Sequence, residues 1–210
     1  MFKDRNDAGK RLASLLGKYK DSDAIVFALP RGGVVIGYEI SRVLNLPLEL
    51  VITRKISRPN YPEYAIGAVS ETGKYIISER EENIDEEWLE QEIHKEKMEA
   101  IRRRMEYYSN RIPLSIKNKI VIIVDDGVAT GLSLSLAIGE IKSKEPKYIV
   151  IAVPVISKDV ADSMSKICDK LIAFETIDDN FGSVGSYYKN FHQVSDEEVK
   201  KLLSKIWKRK

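Results

Sequence analysis

Residues 120–124, Ile-Val-Ile-Ile-Val, constrain the fold more than any other stretch of this chain. Every side chain in the run is β-branched and none is polar, so the strand must be covered on both faces. Strands of that kind lie in the middle of parallel sheets, with helices on either side. The run ends in Asp125-Asp126, continues through Gly127-Val128-Ala129-Thr130-Gly131, and enters a helical pattern over residues 132–141. Open α/β sheets bind ligands at such strand ends, where the first N–H groups of the following helix are unpaired and attract anions.

The rest of the chain alternates strands and helices. Asn6 is a candidate cap for a first helix with Ala8, Leu12, Leu15 and Leu16 on one face and Gly17 as its stop. A strand at residues 24–29 runs into Pro30-Arg31-Gly32-Gly33, a helix follows over residues 34–44, and residues 48–53 form a second buried strand. Residues 54–73 lack helical periodicity and carry two prolines and two glycines, which predicts a mobile loop with a strand at 64–69. A short strand is expected at 75–78. Asn83 and Glu86 read as a capping box for a long helix to about Tyr108, with Trp88, Ile93, Ala100, Ile101, Met105 and Tyr108 as its interrupted apolar stripe. Arg102-Arg103-Arg104 suit a solvated helix end, where the dipole favours cations, and His94 is expected to be exposed.

Further strands at 148–153 and 170–174 flank a helix around 159–167. A segment rich in glycine and aromatic residues, 181–193, precedes a final helix opened by Ser195 and Glu198. This order predicts an α/β fold with a central parallel sheet, built as one domain over residues 1–210 with an inserted helix at 79–112.

Composition removes several classes of function. A net charge of +2 gives no global attraction to nucleic acid or to an anionic membrane. Cys168 is the lone cysteine, expected to be a small buried residue in a reducing compartment, and with two histidines it leaves no zinc-type cluster. A charged N-terminus and the lack of any apolar run near ~20 residues predict neither signal peptide nor membrane span, hence a cytoplasmic protein.

Residue types around the acid pair indicate the ligand. Gly127, Ala129 and Gly131 let an anion approach the backbone, and the hydroxyls of Thr130 and Ser133 can donate to it. Asp125 and Asp126 suit sugar hydroxyls or a divalent ion. A ribose 5-phosphate satisfies both demands. The rival P-loop pattern is not met, because no lysine follows Gly131.

The string Asp-Asp-x-x-x-Thr-Gly-x-Ser behind a hydrophobic run resembles the motif by which type I phosphoribosyltransferases bind 5-phosphoribosyl 1-diphosphate (PRPP). Pro30-Arg31-Gly32-Gly33 resembles that family's pyrophosphate loop, and Arg54-Lys55 the Arg-Lys at the root of its flexible catalytic loop. The likeness is good over residues 24–141 and weaker in the last third. There Phe181-x-x-Val184-Gly185-x-x-Tyr188-x-x-Phe191-x-Gln193 is similar to a subfamily of predicted bacterial and archaeal phosphoribosyltransferases.

The resemblance implies the type I phosphoribosyltransferase fold, with a C-terminal hood over residues 175–195. It also implies transfer of the 5-phosphoribosyl group of PRPP to a nucleobase with release of pyrophosphate, a step of nucleotide salvage, with Mg²⁺ as cofactor and a homodimer as assembly. On that reading Asp125 and Asp126 grip the ribose hydroxyls, directly or through Mg²⁺ held indirectly by PRPP and water. Gly127, Ala129, Thr130, Gly131, Leu132 and Ser133 surround the 5-phosphate. Arg31, Gly32, Gly33 and Arg54 take the pyrophosphate, and Lys55 neutralises it as it leaves, under a closing lid. Phe181, Val184 and Tyr188 either face the base from the hood or pack the hood on the core. Enzymes acting on 6-oxopurines carry an Asp just before the Thr-Gly; Ala129 stands there, which disfavours hypoxanthine and guanine without selecting another base. The alternative is a PRPP- or nucleotide-sensing regulator on the same fold without turnover. The Arg54-Lys55 pair and the long polar lid favour catalysis. A hydrolase using Asp125 as nucleophile lacks a second acid–lysine constellation.

Overall fold

The computed structural model describes residues 1–59, 61–178 and 181–208, without the side chains of residues 62 and 63. Five strands, β1 (Ile25–Ala28), β2 (Leu48–Leu50), β6 (Ile120–Val124), β7 (Tyr148–Ser157) and β8 (Lys170–Ile177), form a sheet in the order β2-β1-β6-β7-β8. Every pairing in it is parallel. Three more, β3 (Thr53–Arg58), β4 (Tyr61–Ser70) and β5 (Tyr75–Ile77), form a separate antiparallel sheet. The helices are α1 (Arg5–Leu15), α2 (Gly32–Leu44), α3 (Glu86–Tyr108), α4 (Leu132–Lys142), α5 (Lys158–Met164) and α6 (Asp196–Trp207).

The β-branched run does what its composition requires. Ile122 and Val124 face a core shared with Leu12 of α1, Ile36 and Ile40 of α2, and Leu203 of α6. Val121 and Ile123 face the opposite core, with Leu134, Ala137 and Ile138 of α4 and Met164 of α5. All four are fully buried, each contributing about 1.5–3 kcal/mol relative to an exposed position.

The segment at residues 54–73 departs from the expected mobile loop. Most of it is the β3–β4 hairpin, in which Thr53 pairs with Ser70 and Ile56 with Gly67. Ile56, Ile66 and Val69 are buried under Trp88, Leu89 and Ile93 of α3. Polar contacts fasten it as well. Arg54 Nε donates to Glu96 Oε2 of α3 at 2.7 Å, while Ser70 and Thr72 hydroxyls donate to Glu140 Oε1 of α4 at 2.8 and 2.6 Å. A register shift after Ile56 breaks the two-residue alternation, which hides the strand in the sequence. The strand expected over residues 48–53 is likewise divided, its last residue belonging to β3.

Helix starts also moved. Asp4, not Asn6, caps α1 by accepting from Asp7 N, and Asp85, not Asn83, caps α3 by accepting from Trp88 N. The arginines at the end of α3 are used within the chain. Arg102 binds Glu99 and Asp196, Arg103 binds Glu99, and Arg104 lies over the Tyr108 ring. His94 is exposed and Cys168 half-buried. Among the described residues no helix is long and apolar enough to cross a membrane.

Candidate active site

In the order β2-β1-β6-β7-β8 the chain reverses direction of build-up between β1 and β6, and crevices open at such switch points. Ala28 and Val124 are level in the register, and Leu29 N donates to Val124 O at 3.0 Å. The Pro30-Arg31-Gly32-Gly33 turn therefore lies beside Asp125-Asp126. Contact is so close that a Cβ on Gly32 would stand 1.8 Å from Asp126 Oδ2, and one on Gly33 3.0 Å from the Asp125 Cα. These glycines bring the two loops together.

The helices leaving both loops start with open donors. Among the described residues no side chain hydrogen-bonds the first turn of α2, whose cap position is Arg31, or of α4, whose cap position is Gly131. Gly131 has φ +74°, and a Cβ there would meet Val160 Cγ1 at 2.6 Å. Both turns line one cleft of about 1010 Å³, together with Thr53, Lys55, Asp125, Asp126, Ala129, Thr130 and Ser133. Thr130 and Ser133 hydroxyls have no protein partner among the described residues.

Charge in the cleft is mixed. Asp125 lines the cleft with its side chain largely surrounded by protein; burial first and the Asp126 charge second push its carboxyl well above the usual range. The positive charge of Lys55 acts in the opposite sense, and Lys55 is exposed with no ion pair among the described residues. Arg31 NH1 lies 3.8 Å from Asp196 Oδ1 of α6. Arg54 also lines the cleft, but its guanidinium is committed to Glu96, so it joins the wall rather than standing free. Among the described residues no three His, Cys, Asp or Glu converge as a metal cage.

Arg5, from the first turn of α1, is the residue that sequence reasoning missed. Its Nε donates to Asp126 Oδ2 at 2.7 Å. Nothing near it in sequence marks it, because its partners are 121 and 187 positions away.

Of the expected hood residues, Val184 lines the cleft and packs where a Cβ on Gly127 would stand, 2.4 Å from Val184 Cγ1. Gly127 thus makes room for the hood. Tyr188 does not offer a stacking face. It is 6% exposed, packs on Phe2 and Phe191 at centroid distances of 5.4 and 5.0 Å, and donates its hydroxyl to Asp126 O at 2.6 Å. Burial holds its phenol proton on above the ordinary range, so it stays a donor. Phe181 packs on Tyr187 at 5.3 Å and is absent from the cleft wall, whereas Phe191, His192, Gln193 and Val194 line it.

A family model described as the phosphoribosyl transferase domain matches residues 3–190. The chain belongs to the phosphoribosyl transferase family. A Mycobacterium tuberculosis protein, provisionally named a phosphoribosyl transferase (Rv0571c), is 32% identical over 208 residues, covering 98% of this chain and 47% of its own length. The chain thus spans about half the length of the curated relatives it matches. Among solved structures, TT1426 from Thermus thermophilus superposes with a TM-score of 0.78 at 34% identity, covering 98% of both chains. The parallel sheet with flanking helices is the type I phosphoribosyltransferase fold.

Proposed function

We propose that the cleft binds PRPP and transfers its 5-phosphoribosyl group to a nucleobase, releasing pyrophosphate. One observation carries this reading: two helix starts without side-chain caps converge on a pair of adjacent carboxylates. Anions are attracted to the helix starts, sugar hydroxyls to the carboxylates, and PRPP presents both.

In this reading Thr130, Gly131, Leu132 and Ser133 hold the 5-phosphate with backbone N–H groups and two hydroxyls. Asp125 and Asp126 accept hydrogen bonds from the ribose hydroxyls and so fix C1 relative to the base. Gly32 and Gly33 backbone groups, Arg31 and Lys55 face the pyrophosphate. Lys55 matters most as charge builds on the leaving group, a gain realised in the transition state. Arg54 acts at one remove, keeping β3 against α3 so that Lys55 stays in place.

The donor set suits Mg²⁺ held indirectly. Two carboxylates, one already engaged by Arg5, are too few for a protein cage but suit an ion that keeps its waters and bridges to phosphates. Bound there, Mg²⁺ supplies neutralisation of the pyrophosphate charge.

Ala129 offers no proton acceptor beside the base, so recognition comes from the hood, through Val184, Gln193 and the backbone around Gly185. Adenine, another 6-aminopurine or a pyrimidine should therefore outrank hypoxanthine and guanine. Pyrophosphate release from Mg²⁺-PRPP across a panel of nucleobases tests this. Preferred use of guanine or hypoxanthine contradicts the role given to Ala129, and tight PRPP binding without turnover on any base contradicts catalysis.

A further inference from the structure

Arg5 is 7% exposed, and its guanidinium is held from three directions. Nε donates to Asp126 Oδ2 at 2.7 Å, NH1 donates to the His192 carbonyl at 2.8 Å, and the group lies 3.7 Å from the Phe191 ring centroid. A buried cation is costly unless its donors are matched, and here the partners come from both the acid pair and the hood. The N-terminal segment holds the hood at further points. Phe2 N donates to Tyr187 O at 2.8 Å, Lys189 N to Phe2 O at 2.9 Å, and Asn190 N to Lys3 O at 3.0 Å. Gly32 leaves space for this arrangement, since a Cβ there would stand 2.9 Å from Arg5 Nε.

We propose that Arg5 is a positioning residue that makes Asp126 and the hood one unit. It fixes the Asp126 carboxylate for the ribose hydroxyls and offsets one of two adjacent negative charges where a pyrophosphate must approach. The same guanidinium anchors the hood at His192 and Phe191, so a ligand on the acid pair steadies the hood. This inference rests on the phosphoribosyl reading above.

The test combines calorimetric titration with Mg²⁺-PRPP and with inorganic phosphate, and hydrogen exchange of hood amides 181–194 with and without PRPP. The proteins are wild type, Arg5→Met and Arg5→Lys. Arg5→Met should lose about tenfold or more in PRPP affinity, as expected for one charge-assisted hydrogen bond. It should keep its phosphate affinity and lose the protection that PRPP confers on the hood. Arg5→Lys returns a cation to Asp126 without the guanidinium fork, so PRPP affinity recovers while the hood stays uncoupled. Wild-type affinity and hood protection in both variants overturn the role of Arg5 and leave the phosphoribosyl reading intact. Equal losses for phosphate and PRPP mean a merely structural arginine and overturn it too. If Arg5→Met does not fold, Arg5→Lys decides alone, wild-type hood protection again overturning the proposal. No PRPP binding by the wild type overturns the reading beneath it.

Discussion

Three helices, α1, α3 and α6, begin behind Asp4, Asp85 and Ser195, whose side chains accept from the N–H three residues on, even in α1, whose first turn reaches the acid pair through Arg5. At the cleft, α2 and α4 begin behind Arg31 and Gly131, with no side-chain capping hydrogen bond among the described residues; the seven-residue α5 is likewise uncapped. A capped start contributes about 1 kcal/mol to stability. An uncapped start gives that up and leaves its donors for something else to satisfy. The open starts of α2 and α4 lie on the cleft that holds the acid pair, where an anion can satisfy their donors.

Gly32→Ala should break this contrast most severely. The added methyl falls 1.8 Å from Asp126 Oδ2 and 2.9 Å from Arg5 Nε, so the Asp126 carboxylate must leave its place and its pairing with Arg5. PRPP affinity should drop by more than about 100-fold, with stability falling by about 1–3 kcal/mol from overpacking. Calorimetry and a urea melt on the same protein measure both. Unchanged binding would mean that the two loops do not act on one ligand.

Asp85→Ala tests the other side. Removing the α3 cap should cost about 1 kcal/mol in a denaturant melt and leave PRPP affinity at its wild-type value. A large loss of binding would show that the peripheral helix start belongs to the site.

The smallest effect should come from Asp125→Asn, and with the opposite sign. Burial and Asp126 raise the folded Asp125 carboxyl above its ordinary value of 3.8. The unfolded chain then ionises first, so this group withholds stability as pH rises from 3.8 towards the folded value, and the deficit persists above it. Asp125→Asn should melt a few degrees higher than wild type at neutral pH, the difference closing as pH falls below that ordinary value. A lower melting temperature at pH 7 would contradict the placement of the carboxyl.

The β6 unit was legible because its evidence is contiguous: strand, acids, glycine turn and helix start follow one another within residues 120–133. The parallel sheet followed from the alternation of strands and helices, whereas the strand order β2-β1-β6-β7-β8 did not. Cap positions slipped by two residues because Asp4 and Asn6, or Asn83 and Asp85, are chemically equivalent candidates and only the backbone path distinguishes them. The strand expected at 64–69 lies within β4, but β3 was read as loop because the hairpin's stability comes from α3 and α4, through Glu96, Glu140 and an apolar cluster remote in sequence. The sequence left Phe181 and Tyr188 open between facing the base and packing the hood, and only the contacts with Tyr187 and Phe2, both distant from the acid pair in sequence, favour packing. Arg5 had no local signal at all.

The most direct test of the account is calorimetric titration of Asp125→Asn/Asp126→Asn and of Thr130→Val with Mg²⁺-PRPP, ribose 5-phosphate and inorganic phosphate. The double variant should lose PRPP affinity while binding inorganic phosphate as wild type does, because the open start of α4 is untouched. Thr130→Val should weaken PRPP and ribose 5-phosphate alike, by about 1.5–3 kcal/mol for a charge-assisted phosphate contact. Wild-type PRPP affinity in the double variant would contradict the assignment of the acid pair to the ribose, and with it the reading of the cleft as a phosphoribosyl site.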